Sequence, residues 1–264
     1  LDQPERWIVT SSRDCPVSRD ELAVLAREAG AVAVPRDGRP LAGVLADYGA
    51  TFALVMQKHG LVASDGREEV FFHPGMAQVR IKRMAAGETD RMVEAMGLRP
   101  GMKVLDCTLG LGSDAITAAW AVGPLGRVTG LEAVRPLALL VRRGLFRYCG
   151  AGRLSGAMSR VDVLAADHRG ILPRLPDDSY DVVYFDPMFR RPLYHSAGIA
   201  PLRRLAQGAP LESESVEEAV RVARRRVVLK ERRESPEFDR LGFMVTEGGR
   251  YSPVAFGVRE AGRS

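Results

Sequence analysis

The residues of greatest chemical interest stand together in Asp186-Pro187-Met188-Phe189, which ends the apolar run Val182-Val183-Tyr184-Phe185 and leads into Arg190-Arg191. An exocyclic amine on a nucleobase is a poor nucleophile, because its lone pair is delocalised into the ring. A carboxylate and a backbone carbonyl that accept its two hydrogens aim that lone pair at an electrophile. Asp186 offers the carboxylate, and Pro187 stiffens the turn so that its carbonyl points outward. Phe189 offers a face on which a base can stack once it has left its own stack. Arg190 and Arg191 suit flanking phosphates. Asp186, Pro187 and Phe189 are therefore the catalytic candidates, and Arg190 and Arg191 the first candidates for holding RNA.

A second constellation lies in "VLDCTLGLGSDA" (104–115), a strand, a glycine loop and the start of a helix. Gly110 and Gly112 let backbone approach a ligand closely, and the following helix offers free N–H groups. Gly110-x-Gly112-x-x-Ala115 fits the dinucleotide fingerprint. Glu132 closes the next strand about 20 residues on, where a carboxylate accepts from ribose hydroxyls. Asp167 closes the third, within reach of an adenine amino group. Three strands ending this way converge on one crevice at the carboxyl edge of a parallel sheet. Nicotinamide and S-adenosylmethionine enzymes share these features. Asp106 and Asp186 separate them; Asp106 lies before the glycines, where a carboxylate suits a cationic ligand better than a pyrophosphate. Asp106, Thr108, Gly110 and Gly112 are thus candidates for holding S-adenosylmethionine.

These groups need a scaffold, and the chain supplies one. From Lys103 on, strands at 103–107, 127–132, 162–167, 180–186 and 225–231 alternate with helical stretches, a pattern that predicts a parallel sheet covered on both faces. The helical stretch after Glu132 carries Leu137, Leu140, Val141, Leu145 and Tyr148 on one face, and Ser215 with Glu218 has capping-box spacing for the last helix. The end, "FMVTEGGRYSPVAFGVRE", reads as an antiparallel strand pair. Ahead of Gly87 lies a small α/β unit. It has strands at 6–12, "AVAVP" and "TFALVMQ", a helix at 18–30 with Ser18 and Glu21 as a capping box, a second helix at "PLAGVLADYG", and a hairpin turning at Asp65-Gly66. The expected domains are 1–86 and 87–264, joined through a helix at 87–97 that presents Met92, Val93 and Met96. The stretch 189–210 is long for a strand-to-helix connection and is expected to be a mobile substrate loop.

Composition narrows the function classes. The 264 residues are 46% hydrophobic, enough for a sizeable core, and no apolar run is long enough to span a bilayer. No signal peptide is read at the N-terminus, and three cysteines are too few and too scattered for a disulfide framework or a zinc site. A cytoplasmic location is expected. His59, His73, His168 and His195 lack metal spacing, so no metal is expected; His73 heads a His-Pro-Gly turn that could border the site. The net charge of +5, carried largely by arginine, points to nucleic acid. Arg80, Lys82 and Arg83 in "RIKR" join Arg190 and Arg191 as RNA-binding candidates.

Asp186–Phe189 resembles the (D/N)-P-P-(Y/F) signature of amino-directed methyltransferases, with Met188 in place of the second proline. Together with "DCTLGLGSDA" it resembles more narrowly the RsmJ-like family (YhiQ type). "FFHPGMAQVRIKRMAAGETD" (71–90) resembles a Gram-positive branch of that group. The resemblance implies a class I methyltransferase with a Rossmann-like α/β fold. Its sheet would be seven-stranded and mostly parallel with an antiparallel terminal strand, beside a small N-terminal α/β extension. It implies S-adenosylmethionine as cofactor and a guanine N2 of small-subunit ribosomal RNA as substrate. By position, Ser113, Asp114, Glu132, Ala133, Ala166, Asp167 and Asp186 would line the donor pocket. The chain departs from the family pattern at Leu109-Gly110, Ser113 and Asp167. A methyltransferase of small molecules or proteins, and a non-catalytic binding module, are the alternatives.

Overall fold

The computed structural model describes residues 6–148, 152–187, 210–246 and 252–262. The chain forms two compact units, with the first reaching to His73 and also taking Val134–Arg147.

The first unit is built on β1 (Trp7–Ser11), α1 (Arg19–Ala29), β2 (Val32–Ala33), α2 (Leu41–Asp47), β3 (Phe52–Gln57), β4 (Gly60–Ser64) and β5 (Glu69–Phe71). Its sheet runs β2-β1-β3-β4-β5, parallel around β1 and antiparallel from β3 onward. The capping box at α1 forms: Ser18 accepts from the Glu21 N–H, and the Glu21 carboxylate accepts from the Ser18 N–H. At the predicted hairpin, Asp65 Oδ1 accepts from the N–H groups of Arg67 and Glu68, each at 2.9 Å, and so pins the turn. Ile8, Val34, Val44, Leu45, Ala53 and Val55 make the core. Helix α6 (Arg135–Arg147) belongs to this unit. Arg143 pairs with Glu28, Arg147 donates to the Lys58 carbonyl, and Gly144 lies against Phe72 so closely that a methyl group there would overlap the ring.

The second unit contains α3 (Gly75–Ala85), α4 (Arg91–Met96), β6 (Lys103–Asp106), α5 (Ser113–Ala121), β7 (Arg127–Glu132), α7 (Arg153–Met158), β8 (Val161–Ala165), α8 (His168–Ile171), β9 (Tyr180–Phe185), α9 (Ser213–Val222), β10 (Ala223–Arg232), α10 (Glu237–Arg240), β11 (Met244–Val245) and β12 (Val254–Glu260). Its seven strands run β11-β12-β10-β9-β6-β7-β8. Strand β12 is antiparallel to both neighbours, and the pairs from β10 to β8 are parallel. This is the expected mostly parallel seven-stranded α/β sheet.

Some elements differ from expectation. The segment around "RIKR" is an eleven-residue helix, α3. It opens on Pro74-Gly75 without a side-chain cap and buries only Ala77 and Ile81 fully, so its sequence signal is weak. Helix α4 starts at Arg91, where Asp90 caps the N–H groups of Met92 and Val93. Ser215 and Glu218 do not form a capping box. Helix α9 begins three residues earlier, with Glu212 at the cap position, which puts Ser215, Val216, Ala219 and Val222 on its buried face, and Glu218 pairs with Arg221 instead.

Because side chains alternate along a strand, the central strands sort their residues between two faces. Leu105, Val183, Phe185, Val227 and Leu229 pack with Val216, Ala219 and Val222 of α9 in one apolar core. The intervening residues Asp106, Tyr184, Asp186 and Lys230 therefore share the opposite face. Register brings them level: Asp106 pairs with Tyr184, and Phe185 with Leu229, so Asp186 and Lys230 leave the sheet side by side.

Gly130 in β7 makes room for the glycine loop. A Cβ at this position would stand 2.5 Å from Leu109 Cδ1, and Leu109 is buried. Gly130→Ala is expected to cost about 1–3 kcal/mol through overpacking. Leu109→Ala in the same chain should relieve the clash and leave a favourable coupling between the two sites. Denaturant titration of the four variants checks this; strictly additive losses would show that Leu109 yields freely.

Candidate active site

The loop after β6 is tied down on both sides. Cys107 N–H donates to the Tyr184 carbonyl and Leu109 N–H to the Leu131 carbonyl, each at 2.9 Å. Thr108 N–H donates back to Asp106 Oδ1 at 3.0 Å, and Thr108 Oγ1 accepts from the Asp186 N–H at 2.6 Å. Gly110 N–H donates to Glu132 Oε2 at 3.1 Å. Gly110 (φ 53°) and Gly112 (φ 79°) occupy the left-handed region that the sharp turn into α5 requires. Loop and strand ends are thus one hydrogen-bonded piece, with Asp186 fixed through its own backbone.

Beneath the loop lies a cluster of charges. Lys230 Nζ stands 2.6 Å from Asp186 Oδ2 and 2.9 Å from Asp114 Oδ2. Tyr184 donates its hydroxyl to the same Asp114 oxygen at 2.8 Å. Arg80 NH1 bonds Asp114 Oδ1, and the remaining edge of its guanidinium forks onto Asp90 with two contacts of 2.7 Å. Asp106 lies under the loop, 2% exposed. Four carboxylates therefore share two cations.

Their titration follows from that imbalance. Burial pushes Asp106 up to about 8, against the Thr108 N–H and with repulsion from Asp114 and Asp186 adding to it. It carries its proton at neutral pH. Burial would raise Asp114 too, but Lys230 and Arg80 hold it below the usual carboxylate range. Asp186 is pushed up to about 6, by burial first and by Asp114 after it, with Lys230 opposing. Lys230 and Arg80 are held above their ordinary values by these carboxylates although burial works the other way. With Asp106 neutral, the balance near pH 7 is one negative charge, and Asp186 is the 26%-exposed carboxylate of the set that also lies at the strand end.

The structure gathers Asp106, Thr108, Gly110, Gly112, Ser113, Asp114, Glu132 and Asp186 at the carboxyl ends of β6, β7 and β9. Ala166, whose N–H donates to the Glu132 carbonyl, and Asp167, which caps α8 and pairs with Arg169, follow β8. Ala133 follows β7. One expectation is corrected. Arg80 does not join Lys82 and Arg83 on the exposed side of α3, because its donors are spent on Asp90 and Asp114. It is an internal ion-pair hub, not a phosphate ligand. Asp114 likewise turns both oxygens inward. Phe189, Arg190 and Arg191, and the expected substrate loop, lie outside the described residues. His73 meets Phe71 edge-on in the first unit. Among the described residues no cluster could hold a metal, and no helix is long and apolar enough to cross a membrane.

Sequence reasoning missed Lys230, Tyr184 and Asp90. The signal for Lys230 was available: a lysine inside Val227-Val228-Leu229-Lys230, on a strand buried on both sides, must find a carboxylate partner.

Comparison with known proteins adds a line independent of this geometry. Residues 42–244 match the family model described as "Putative SAM-dependent methyltransferase". The chain is 50% identical over 176 residues, 66% of its length and 68% of the relative's, to the uncharacterized protein YpiP of Bacillus subtilis. It is 29% identical over 238 residues, 83% of each chain, to ribosomal RNA small subunit methyltransferase J of Pseudomonas syringae pv. tomato. A like-named protein of Halorhodospira halophila is 35% identical over 57% of this chain and 59% of its own. The crystal structure of a SAM-dependent methyltransferase from Neisseria gonorrhoeae shares the fold, with a TM-score of 0.65 over 97% of each chain at 18% identity.

The raised Asp106 gives a stability test. Its folded value stands above the unfolded one, so the folded chain keeps a proton that the unfolded chain releases. The associated stability is complete below the ordinary aspartate range and is lost as pH rises toward about 8. Asp106→Asn keeps an acceptor for Thr108 and removes that titration. Its stability relative to the parent should rise between pH 5 and 8, with a slope of up to about 1.4 kcal/mol per unit. Parallel denaturation profiles for the two proteins would contradict it.

Proposed function

The chain belongs to the SAM-dependent methyltransferase family, and from that premise we propose that it methylates an exocyclic amine of small-subunit ribosomal RNA, specifically a guanine N2. The observation that carries this reading is Asp186: a carboxylate at the end of β9, fixed by Thr108 and Lys230, beside the glycine loop and followed by proline. The naming of the Pseudomonas and Halorhodospira relatives supports ribosomal RNA as the acceptor. The arginine-rich net charge of +5 agrees with a phosphate-bearing substrate.

The residues present fit S-adenosylmethionine. Ser113 Oγ is buried without a partner in the protein, and a Cβ at Gly110 would meet only the Thr108 carbonyl, 4.0 Å away, so there is space for a ligand against the loop. In this reading Gly110, Gly112, Ser113 and Ala133 face the donor. Glu132 accepts from its ribose, and Ala166 and Asp167 flank its adenine. When bound, S-adenosylmethionine supplies an electrophilic methyl on a sulfonium cation. The one negative charge left over by the buried cluster favours a cation there.

Toward the acceptor, Asp186 Oδ1 and the Pro187 carbonyl take the two amine hydrogens and turn the nitrogen lone pair toward the donor. The ring of Phe189 stacks on the extruded base, and Arg190, Arg191, Lys82 and Arg83 hold phosphates. Because orientation at near-attack distance governs such a transfer, a carboxylate anchored at both its backbone and one oxygen is well suited to the task.

Incubation of small-subunit RNA from a strain lacking the enzyme with labelled donor, followed by nucleoside mass mapping, tests the reading. Label in N2-methylguanosine is the expected result. Label on a different nucleobase atom would overturn the guanine N2 assignment, and label confined to protein or small molecules would overturn RNA. Separately, Glu132→Ala should weaken S-adenosylmethionine binding about tenfold or more in calorimetry, since a charge-assisted hydrogen bond contributes about 1.5–3 kcal/mol. Unchanged affinity would remove Glu132 from the donor site.

A further inference from the structure

Lys230 has no place in the reading of the sequence, yet it touches the group on which the proposed chemistry turns. We propose that Lys230 is a positioning residue: by holding Asp186 Oδ2, it keeps the carboxylate ionised and leaves Oδ1 aimed at the acceptor amine. This rests on the acceptor reading of Asp186 given above.

The geometry argues for a division of labour between the two oxygens. Nζ lies 2.6 Å from Asp186 Oδ2 and 2.9 Å from Asp114 Oδ2, so the ammonium bridges two carboxylates and is itself immobilised. Asp114 is fixed in turn by Arg80 and the Tyr184 hydroxyl. Arg80 is locked by Asp90, the cap of α4. The chain of contacts runs from α3 and α4 through α5 to β10 and ends on Asp186. An exposed lysine on a flexible stem could neutralise a carboxylate, but it could not orient one. Here the stem rises from the carboxyl-terminal part of β10, directly after the fully buried Val228 and Leu229.

The charged groups facing Asp186 among the described residues are Lys230 from β10, Asp114 from α5 and Asp106 from β6, with the Tyr184 hydroxyl from β9. Lys230 is the cation in direct contact. Burial and Asp114 both push Asp186 toward its protonated form; because Lys230 donates to Oδ2, the proton then sits on Oδ1, which can no longer accept from the amine. Only the ionised form is competent, so transfer should rise with pH through the Asp186 titration. Removing Lys230 should move that titration upward; removing the Asp114 charge should move it downward.

Carboxyl-carbon NMR of aspartate-labelled full-length protein follows the titration directly, with the signal assigned through Asp186→Asn. Neither RNA nor donor is needed. Lys230→Met is expected to raise the Asp186 midpoint by about one unit or more. It should slow single-turnover transfer at pH 6, where half of the parent's Asp186 is ionised, by about fivefold or more, with donor affinity within about twofold of the parent. Lys230→Arg, which retains the cation, should restore both midpoint and rate. Asp114→Asn should lower the midpoint, and it keeps the test decisive if the methionine variant does not fold. An unmoved midpoint in Lys230→Met, an arginine variant as impaired as the methionine one, or an upward shift in Asp114→Asn would overturn the assignment. A wild-type enzyme inactive on ribosomal RNA counts against the functional reading alone, and the titrations then decide the role of Lys230.

Discussion

Two cations serving four carboxylates set the terms for the rest of this site. Lys230 bridges Asp114 and Asp186, and Arg80 bridges Asp114 and Asp90. Burying such charges is costly, and removing one partner from a buried pair typically costs about 3–5 kcal/mol. The arrangement is therefore held from several elements at once: α3 and the cap of α4 supply one end, α5 the middle, β9 and β10 the other. The glycine loop lies over this network and is fastened to it through Asp106 and Thr108. What orders the loop also orders Asp186.

The two-faced sheet explains how an otherwise apolar scaffold tolerates the cluster. Residues at odd positions of the central strands fill the core under α9, and the even ones lie on the face where Asp114 of α5 meets Tyr184 and Lys230. Near the middle of the strands the even residues are valines, Val104, Val182 and Val228, all buried. Toward the carboxyl ends they become Asp106, Tyr184, Asp186 and Lys230. The change from apolar to ionic along one face is what converts a packed sheet into a site at its edge. It also accounts for the value of about 8 at Asp106, the deepest carboxylate of the set.

Much of this was legible in the chain. The strands from β6 to β9 read as short apolar runs closed by acids, because a parallel strand covered on both faces has few alternatives. Asp106, Glu132, Asp167 and Asp186 stood out because a carboxylate ending such a run has no packing role. The capping box at Ser18 formed because both its partners are local. The one at Ser215 did not, because burial of Val216, Ala219 and Val222 set the start of α9, and that is a tertiary constraint. Arg80 looked like a surface cation within "RIKR", since local sequence does not reveal partners 10 and 34 residues away. That Lys230 needs a carboxylate is legible, but which one is not: its two partners lie on other elements, Asp186 brought beside it by the register of β9 against β10 and Asp114 by α5.

The central claim is that the Asp186 carboxylate orients the acceptor amine. Single-turnover methyl transfer at saturating RNA and donor, compared between the parent enzyme and Asp186→Asn, tests it most directly. The substitution keeps the size and replaces one acceptor oxygen with an N–H donor. A rate reduced by about a hundredfold or more is expected, with a smaller change in donor affinity, because the loss falls on orientation in the chemical step. Transfer at the parent rate by Asp186→Asn would contradict the account.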